Sequence, residues 1–246
     1  KTLLIMRKTE DDNTEKMRRN VHGRRLGRPL SPARQTALDA LMPQLEVHRN
    51  LISGQADLSP SDLFSASKNE TWLEIGFGNG EHLHHVLKQD PDTNFIGAEP
   101  YINGMSAFLK DVHEDEAIDR SRLRVFMDDA LLFVDSLEDN SLDGIYILNP
   151  DPWHKKRHHK RRIVRPETLD KYARVIKTGG TLFMTTDVAN LAEWMCMHAT
   201  EHPEFEWTAK SQQDWLQPPE GWQSTRYEIK GREAGRFQSY LIFKRL

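Results

Sequence analysis

From Thr71 onward, short apolar runs alternate with longer stretches in which apolar residues recur every three or four positions. The runs at 71–75, 94–98, 123–127, 144–148 and 181–185 read as strands, spaced as parallel strand–helix–strand crossovers require. Between them, 81–89, 102–114, 130–136 and 166–177 read as helices, and Gly179-Gly180 makes a turn into the fifth strand. After Asp187 a helix through Leu191, Trp194 and Met195 is expected. Near the end, 225–230 and 237–243 flank Gly231-Arg232-Glu233-Ala234-Gly235 and read as a closing antiparallel hairpin. The pattern predicts an α/β fold, a doubly wound and mostly parallel sheet with an antiparallel C-terminal strand.

Upstream the pattern weakens. The first thirty residues are polar, rich in Arg and Gly, and read as a flexible N-terminal extension. Arg18, Arg19, Arg24, Arg25 and Arg28 are candidates to help hold a nucleic acid, against the simpler reading of a disordered tail. Ser31-Pro32 has the form of an N-cap with proline at the first helical position, and Ala37, Leu38, Leu41 and Met42 supply a short apolar stripe ending near Pro43. Residues 53–69 read as a connector with one helical turn near Pro60. Residues 1–58 are therefore expected to form a basic, partly flexible extension, and 59–246 the main domain.

Composition narrows the class. A chain of 246 residues can bury a sizeable core, and 37% apolar with 29% charged residues fits a soluble globular protein. The lone Cys196 excludes an internal disulfide and a multi-cysteine zinc site, and it suits a cytoplasmic location. No apolar run approaches the roughly 20 residues of a membrane span, so no membrane association is expected. The net charge of −3 conceals two cationic regions. Residues 1–34 hold ten Lys/Arg against four Asp/Glu, and residues 155–165 hold seven Lys/Arg and no acid. A polyanion is the natural partner of such a run. A solvated basic face is the plain alternative, but the run follows a predicted strand end, where open α/β sheets keep their ligands. Eleven histidines invite a metal reading, yet without cysteines, or two His at i, i+4 beside an acid, no metal site is expected.

Candidate chemistry gathers at the strand ends. Glu74-Ile75-Gly76-Phe77-Gly78-Asn79-Gly80 follows the first strand and precedes a helix, so glycines let the backbone turn tightly and approach a ligand. The third glycine comes one residue earlier than in a dinucleotide fingerprint, and Glu81 fills its place, where a carboxylate opposes a pyrophosphate. Glu99 ends the second strand, placed for a ribose diol, and Asp128-Asp129 ends the third, placed for an adenine amino group. Acids after three strands suit a positively charged nucleoside, and S-adenosylmethionine is one.

At the fourth strand end stands Asn149-Pro150-Asp151-Pro152-Trp153. Two prolines confine the backbone and hold Asp151 in a set direction; the alternative is a stiff exit turn with Trp153 packed into the core. Asn-Pro-x-x also resembles the Asn-Pro-Pro-aromatic motif of methyltransferases acting on exocyclic amines, with Asp151 displacing the second proline. Asp187 is either a site residue or the N-cap of the next helix. Trp215 and Trp222 either stack on bases or pack their loop.

Taken in order, EIGFGNG, AEP at 98–100, PDPWHKKRHHKRR, TTD at 185–187 and TRYEIKGREAGR at 225–236 resemble the bacterial tRNA (guanine-N7-)-methyltransferases. These are Rossmann-like class I enzymes that modify the variable loop of tRNA, and the resemblance covers roughly 72–246. It implies that Glu74, Gly76, Gly78, Gly80, Glu99, Asp129 and Asp151 bind S-adenosylmethionine, released as S-adenosyl-L-homocysteine, with Asp151 catalytic. It also implies that Lys155, Asp187, Thr225, Arg226, Tyr227 and Glu228 meet the guanosine, and that Arg157, His158, His159, Lys160, Arg161 and Arg162 contact RNA. tRNA is then the partner, with no obligatory protein partner and a monomer or weak homodimer expected. Asn149 departs from the family, which usually has an apolar or aromatic residue there. An exocyclic-amine methyltransferase and an inactive RNA-binding protein on the same scaffold are the competing readings.

Overall fold

The computed structural model describes residues 23, 25–65 and 68–246; the candidates Arg18, Arg19 and Arg24 lie outside them. Seven strands form one sheet in the order β3-β2-β1-β4-β5-β7-β6, from β1 (Glu70–Ile75), β2 (Thr93–Ala98), β3 (Leu123–Phe126), β4 (Leu142–Leu148), β5 (Ile176–Thr186), β6 (Phe205–Trp207) and β7 (Ser239–Arg245). β1 to β5 pair in parallel, while β7 runs antiparallel to both β5 and β6. The doubly wound, mostly parallel sheet with an antiparallel C-terminal strand is therefore present.

Alternation along each strand divides the core between the two faces. Leu73, Ile75, Ile145, Ile147, Leu182 and Met184 point to one face, where they meet α4 (Ala130–Ser136), α5 (Pro166–Val175) and α6 (Ala189–Glu201). The other face carries α1 (Pro32–Leu45), α2 (Glu81–Gln89) and α3 (Ile102–Glu114), through Leu38, Leu41, Leu83, Leu87, Met105 and Phe108. Pro43 does not end the first helix, as its sequence position suggested; α1 continues to Leu45, whose side chain is buried. A further short helix, α7 (Gln213–Leu216), precedes the last one.

The expected closing hairpin is corrected. Residues expected as its first strand form α8 (Arg226–Glu233), with Thr225 as N-cap accepting from the Glu228 N–H at 3.2 Å. β7 finds its partners instead in β5 and β6. Short apolar content and a Gly-bearing connector look alike in a hairpin and in a capped helix followed by a strand, and the cap decided the outcome. Among the described residues no helix is long and apolar enough to cross a membrane.

Candidate active site

β1 and β4 are sheet neighbours, and the chain winds outward from them in opposite directions. Their carboxyl ends therefore flank the switch-point crevice where open α/β sheets hold ligands.

The β1 exit leaves room. Gly76, Gly78 and Gly80 take left-handed φ values of 71°, 59° and 74°, which cost glycine nothing sterically. A Cβ at Gly80 would lie 2.3 Å from the Phe108 ring, whereas nothing stands within 4 Å of one at Gly76 or Gly78. The turn is thus packed on its helix side and open where a ligand approaches. Glu99 clasps it from β2, one oxygen accepting from the Gly78 N–H at 2.8 Å and the other from the Tyr101 N–H at 2.9 Å. Burial raises the Glu99 pKa; the two N–H groups oppose the shift, and the negative Asp151 and Glu74 add to it. The open backbone at Gly76 and Gly78, with the buried carboxylates of Glu74 and Glu99 beside it, fits a cationic nucleoside. Glu74, almost fully buried, has His82 Nδ1 2.8 Å from its Oε2.

After β3, Asp129 caps α4 by accepting from the Leu131 N–H at 2.9 Å. Asp128 is engaged by two arginines from the N-terminal segment, Arg25 at 2.7 Å and Arg49. The adjacent acids thus divide between a helix end and a pair of cations.

The β4 exit is built on the opposite plan. Asn149 and Trp153 adopt left-handed φ of 47° and 46°, bracketing Pro150-Asp151-Pro152. Such conformations cost non-glycine residues on the order of 1–3 kcal/mol each and persist only where surroundings over-determine them. Here the Asn149 N–H donates to the Thr185 carbonyl at 2.9 Å, and its Oδ1 accepts from Gln238 Nε2 at 2.8 Å. Trp153 is half-buried beneath the Arg161 guanidinium, 5.1 Å away. Asp151 is exposed at the rim, yet the surrounding protein still removes enough water to raise its carboxyl pKa. A cavity of about 360 Å³ opens beside it, lined by Asp151, Pro152, Trp153, His154, Lys155 and His158.

The basic run divides into an outer and an inner part. Lys156–Arg161 form a 3-10 helix in which Lys156, Arg157 and Lys160 are exposed. His158 and His159 are half-buried against the rings of Trp153 and Trp194. Arg162, expected among the RNA contacts, is instead interior at 1% exposure. Its Nε donates to the Pro152 carbonyl at 3.0 Å, its Nη2 to Asn190 Oδ1 at 2.7 Å, and its guanidinium lies over Trp194. It ties the basic helix to the Pro-Asp-Pro turn, a role that a uniform charge run does not reveal.

From α8, Tyr227 is exposed, within electrostatic range of both Asp187 and Asp151; partial burial and those two acids raise its pKa against the opposing Arg236. Asp187 is no N-cap, since that position is Val188; its Oδ2 accepts from Arg236 Nε at 2.7 Å. Gly231 makes the approach possible, for a Cβ there would sit 2.5 Å from that oxygen. Glu228, expected at the guanine edge, is turned inward at 1% exposure. It accepts from Trp222 Nε1, Ser224 Oγ, Arg232 Nη2 and the Tyr240 hydroxyl, so both of its oxygens are engaged within the protein. Trp222 packs among His82, Phe183 and Tyr240, the loop-packing alternative. Among the described residues no group of His, Cys, Asp and Glu could hold a metal ion.

Residues 68–239 match a family model described as "Putative methyltransferase". Two solved structures share the fold: a 16S rRNA methyltransferase, KamB, with TM-score 0.54 at 15% identity, and an antibiotic-related methyltransferase with TM-score 0.50 at 14%. Each match covers 73% of this chain and 89% of the other. The tRNA (guanine-N(7)-)-methyltransferase of Brucella anthropi is 40% identical over 96% of this chain and 99% of its own length. That of Bartonella henselae is 41% identical over 90% and 93%. Such identity along almost the whole of both sequences, on a mostly parallel sheet with the expected antiparallel C-terminal strand, means that the chain belongs to the tRNA (guanine-N(7)-)-methyltransferase family.

Proposed function

We propose that this protein transfers the methyl group of S-adenosylmethionine to N7 of a guanine in the variable loop of tRNA. The observation that carries the reading is the situation of Asp151. It shares one electrostatic neighbourhood with Glu99 at the glycine turn and with Tyr227 on α8, and the residues that follow it are cationic.

When bound, S-adenosylmethionine supplies an electrophilic methyl on a cationic sulfur. Glu74 and Glu99 offset positive charge at the turn, Gly76 and Gly78 allow close approach, and Asp129 bounds the far end of the crevice. Guanine N7 carries an in-plane lone pair and no proton, so no general base is needed and positioning dominates. Lys155, Asp187, Thr225, Arg226 and Tyr227 are the candidates to orient the base, while Glu228 holds the α8 region from within. Positive charge grows on the purine as the bond forms, and the stiff, partly desolvated Asp151 carboxylate is pre-set to stabilise it. Arg157, Lys160 and Arg161, with His158 and His159 behind them, offer the charge that phosphates require; Arg162 holds that surface in place.

Exocyclic-amine chemistry would use the Asn149 side-chain carbonyl as an acceptor; that oxygen receives a hydrogen bond from Gln238, and N7 chemistry makes no demand on it. The test is to incubate unmodified tRNA with labelled cofactor and map the modified nucleoside by mass. N7-methylguanosine, with its fixed positive charge, is the expected product. An uncharged methylated amine would overturn the position, and tRNA binding without transfer would leave only the RNA-binding reading.

A further inference from the structure

Glu81 is the residue that follows the last glycine of the cofactor turn and opens α2. Its carboxylate does not lie free over that turn. Oε2 accepts from the backbone N–H of Arg226 at 2.6 Å, and Oε1 pairs with Arg226 Nε at 3.1 Å. Arg226 is the first residue of α8, so Glu81 takes one of the N–H groups that a helix N-terminus leaves without an internal partner. Thr225 takes another, that of Glu228. α8 is therefore capped twice, once by its own sequence and once by a residue 145 positions earlier.

A second contact runs alongside. His82, next to Glu81, lies 5.0 Å from the Trp222 ring, and Trp222 Nε1 donates to Glu228 in α8 at 2.9 Å. The side-chain ion pair is exposed on the arginine side, where such pairs contribute little. The backbone contact is different, because a carboxylate at a helix N-terminus meets both an unfilled donor and the positive end of the helix dipole.

We propose that Glu81, although contiguous with the cofactor glycines, is a positioning residue for the nucleic-acid substrate: it fixes the start of α8, the helix that carries Tyr227. The inference rests on the methyltransferase reading above, and it separates two duties that the linear motif merges. The glycines serve the cofactor; the acid directly after them serves the RNA.

The experiment compares wild type, Glu81→Ala and Glu81→Gln in the full chain. Cofactor affinity is read by calorimetry with S-adenosyl-L-homocysteine, tRNA affinity by titration of cofactor-free protein with unmodified tRNA, and KM for tRNA by labelled methyl transfer. For Glu81→Ala, KM for tRNA and the cofactor-free tRNA Kd are expected to rise about tenfold, while the S-adenosyl-L-homocysteine Kd stays within about twofold. Glu81→Gln keeps an oxygen acceptor for the Arg226 N–H and should recover most of the loss. A lower fraction of folded protein would reduce turnover without raising KM, so a purely structural lesion is told apart. Should Glu81→Ala fold too poorly to assay, Glu81→Ser, which suits the first turn of α2 but is too short to reach the Arg226 N–H, is expected to raise KM for tRNA in the same way. A loss confined to S-adenosyl-L-homocysteine binding, an unchanged KM, or a Glu81→Gln variant as impaired as Glu81→Ala overturns the proposal. Wild type that fails to methylate tRNA overturns the underlying reading instead.

Discussion

Two neighbouring strands, β1 and β4, end at the same edge of the sheet and turn the chain there by opposite means. The β1 exit uses three glycines in left-handed conformations, leaving an open backbone in which the Gly78 N–H donates to Glu99. The β4 exit forces Asn149 and Trp153 into the same region of φ and holds them with hydrogen bonds and ring packing. The glycine turn makes space for a ligand, and the proline-framed turn removes freedom from one carboxylate. An active site that works by positioning needs both, since a cavity without a fixed group binds but does not orient. The basic run repeats the contrast within itself, with Arg162 spent on holding its neighbours in shape and Arg157 and Lys160 left facing solvent.

The sharpest way to break this comparison is Asp151→Asn, which keeps the turn and removes the charge. Turnover at saturating substrates is expected to fall about 10²- to 10³-fold, measured by single-turnover methyl transfer. Because the ionised form is needed and the pKa is raised, activity should decline with falling pH from above the ordinary carboxylate range; an unchanged acid limb in the pH profile would remove Asp151 from that role. Next in size is Arg162→Ala, which strips two hydrogen bonds and a cation–ring contact from the interior. It should cost about 2–4 kcal/mol in denaturant unfolding, unlike any exposed member of the run. The glycine turn separates into two further outcomes. Gly80→Ala drives a methyl group into Phe108 and should destabilise by roughly 2–3 kcal/mol, with unfolding midpoints as the measure. Gly78→Ala meets nothing, so strain of about 1–2 kcal/mol is its whole cost to folding, and cofactor affinity should register the obstruction more than stability does. Smallest are Lys160→Ala and Arg157→Ala, which should leave stability within about 0.5 kcal/mol. Each is expected to flatten the salt dependence of tRNA affinity by about one unit of slope, and a slope unaffected by either would move the RNA off this face.

Periodicity in the parallel part of the sheet was legible because those strands are buried on both faces and read as apolar runs. The helices after the glycine turn, after β2 and after β3 carry their apolar stripes locally, the third with Asp129 as its cap, and they span 81–89, 102–114 and 130–136 as their sequence suggests. Residues 225–233 were not legible as a helix. Besides local bonds from Thr225, Trp222, Ser224 and Arg232, α8 is held from afar by Glu81 of α2 and Tyr240 of β7. Strand β6 escaped for a related reason, being only three residues long and defined by its pairing with β7. In the candidate site, the placement of Glu99 and Asp151 at strand ends was legible in the chain. The inward turning of Arg162 and Glu228 did not, since both sit among exposed charges in the linear chain.

Local order, then, was written in the chain: the alternation of strands and helices, the glycine turn, the rigid Pro-Asp-Pro corner and the concentration of positive charge after it. Those features depend on backbone conformation and on residues a few positions apart, which sequence specifies directly. Which charges face a ligand and which are consumed in holding the architecture was decided only by the tertiary structure. Burial and hydrogen-bond partnership are properties of distant segments brought together, and an arginine or glutamate has the same formal charge on the page whether its donors and acceptors end in water or in the protein interior.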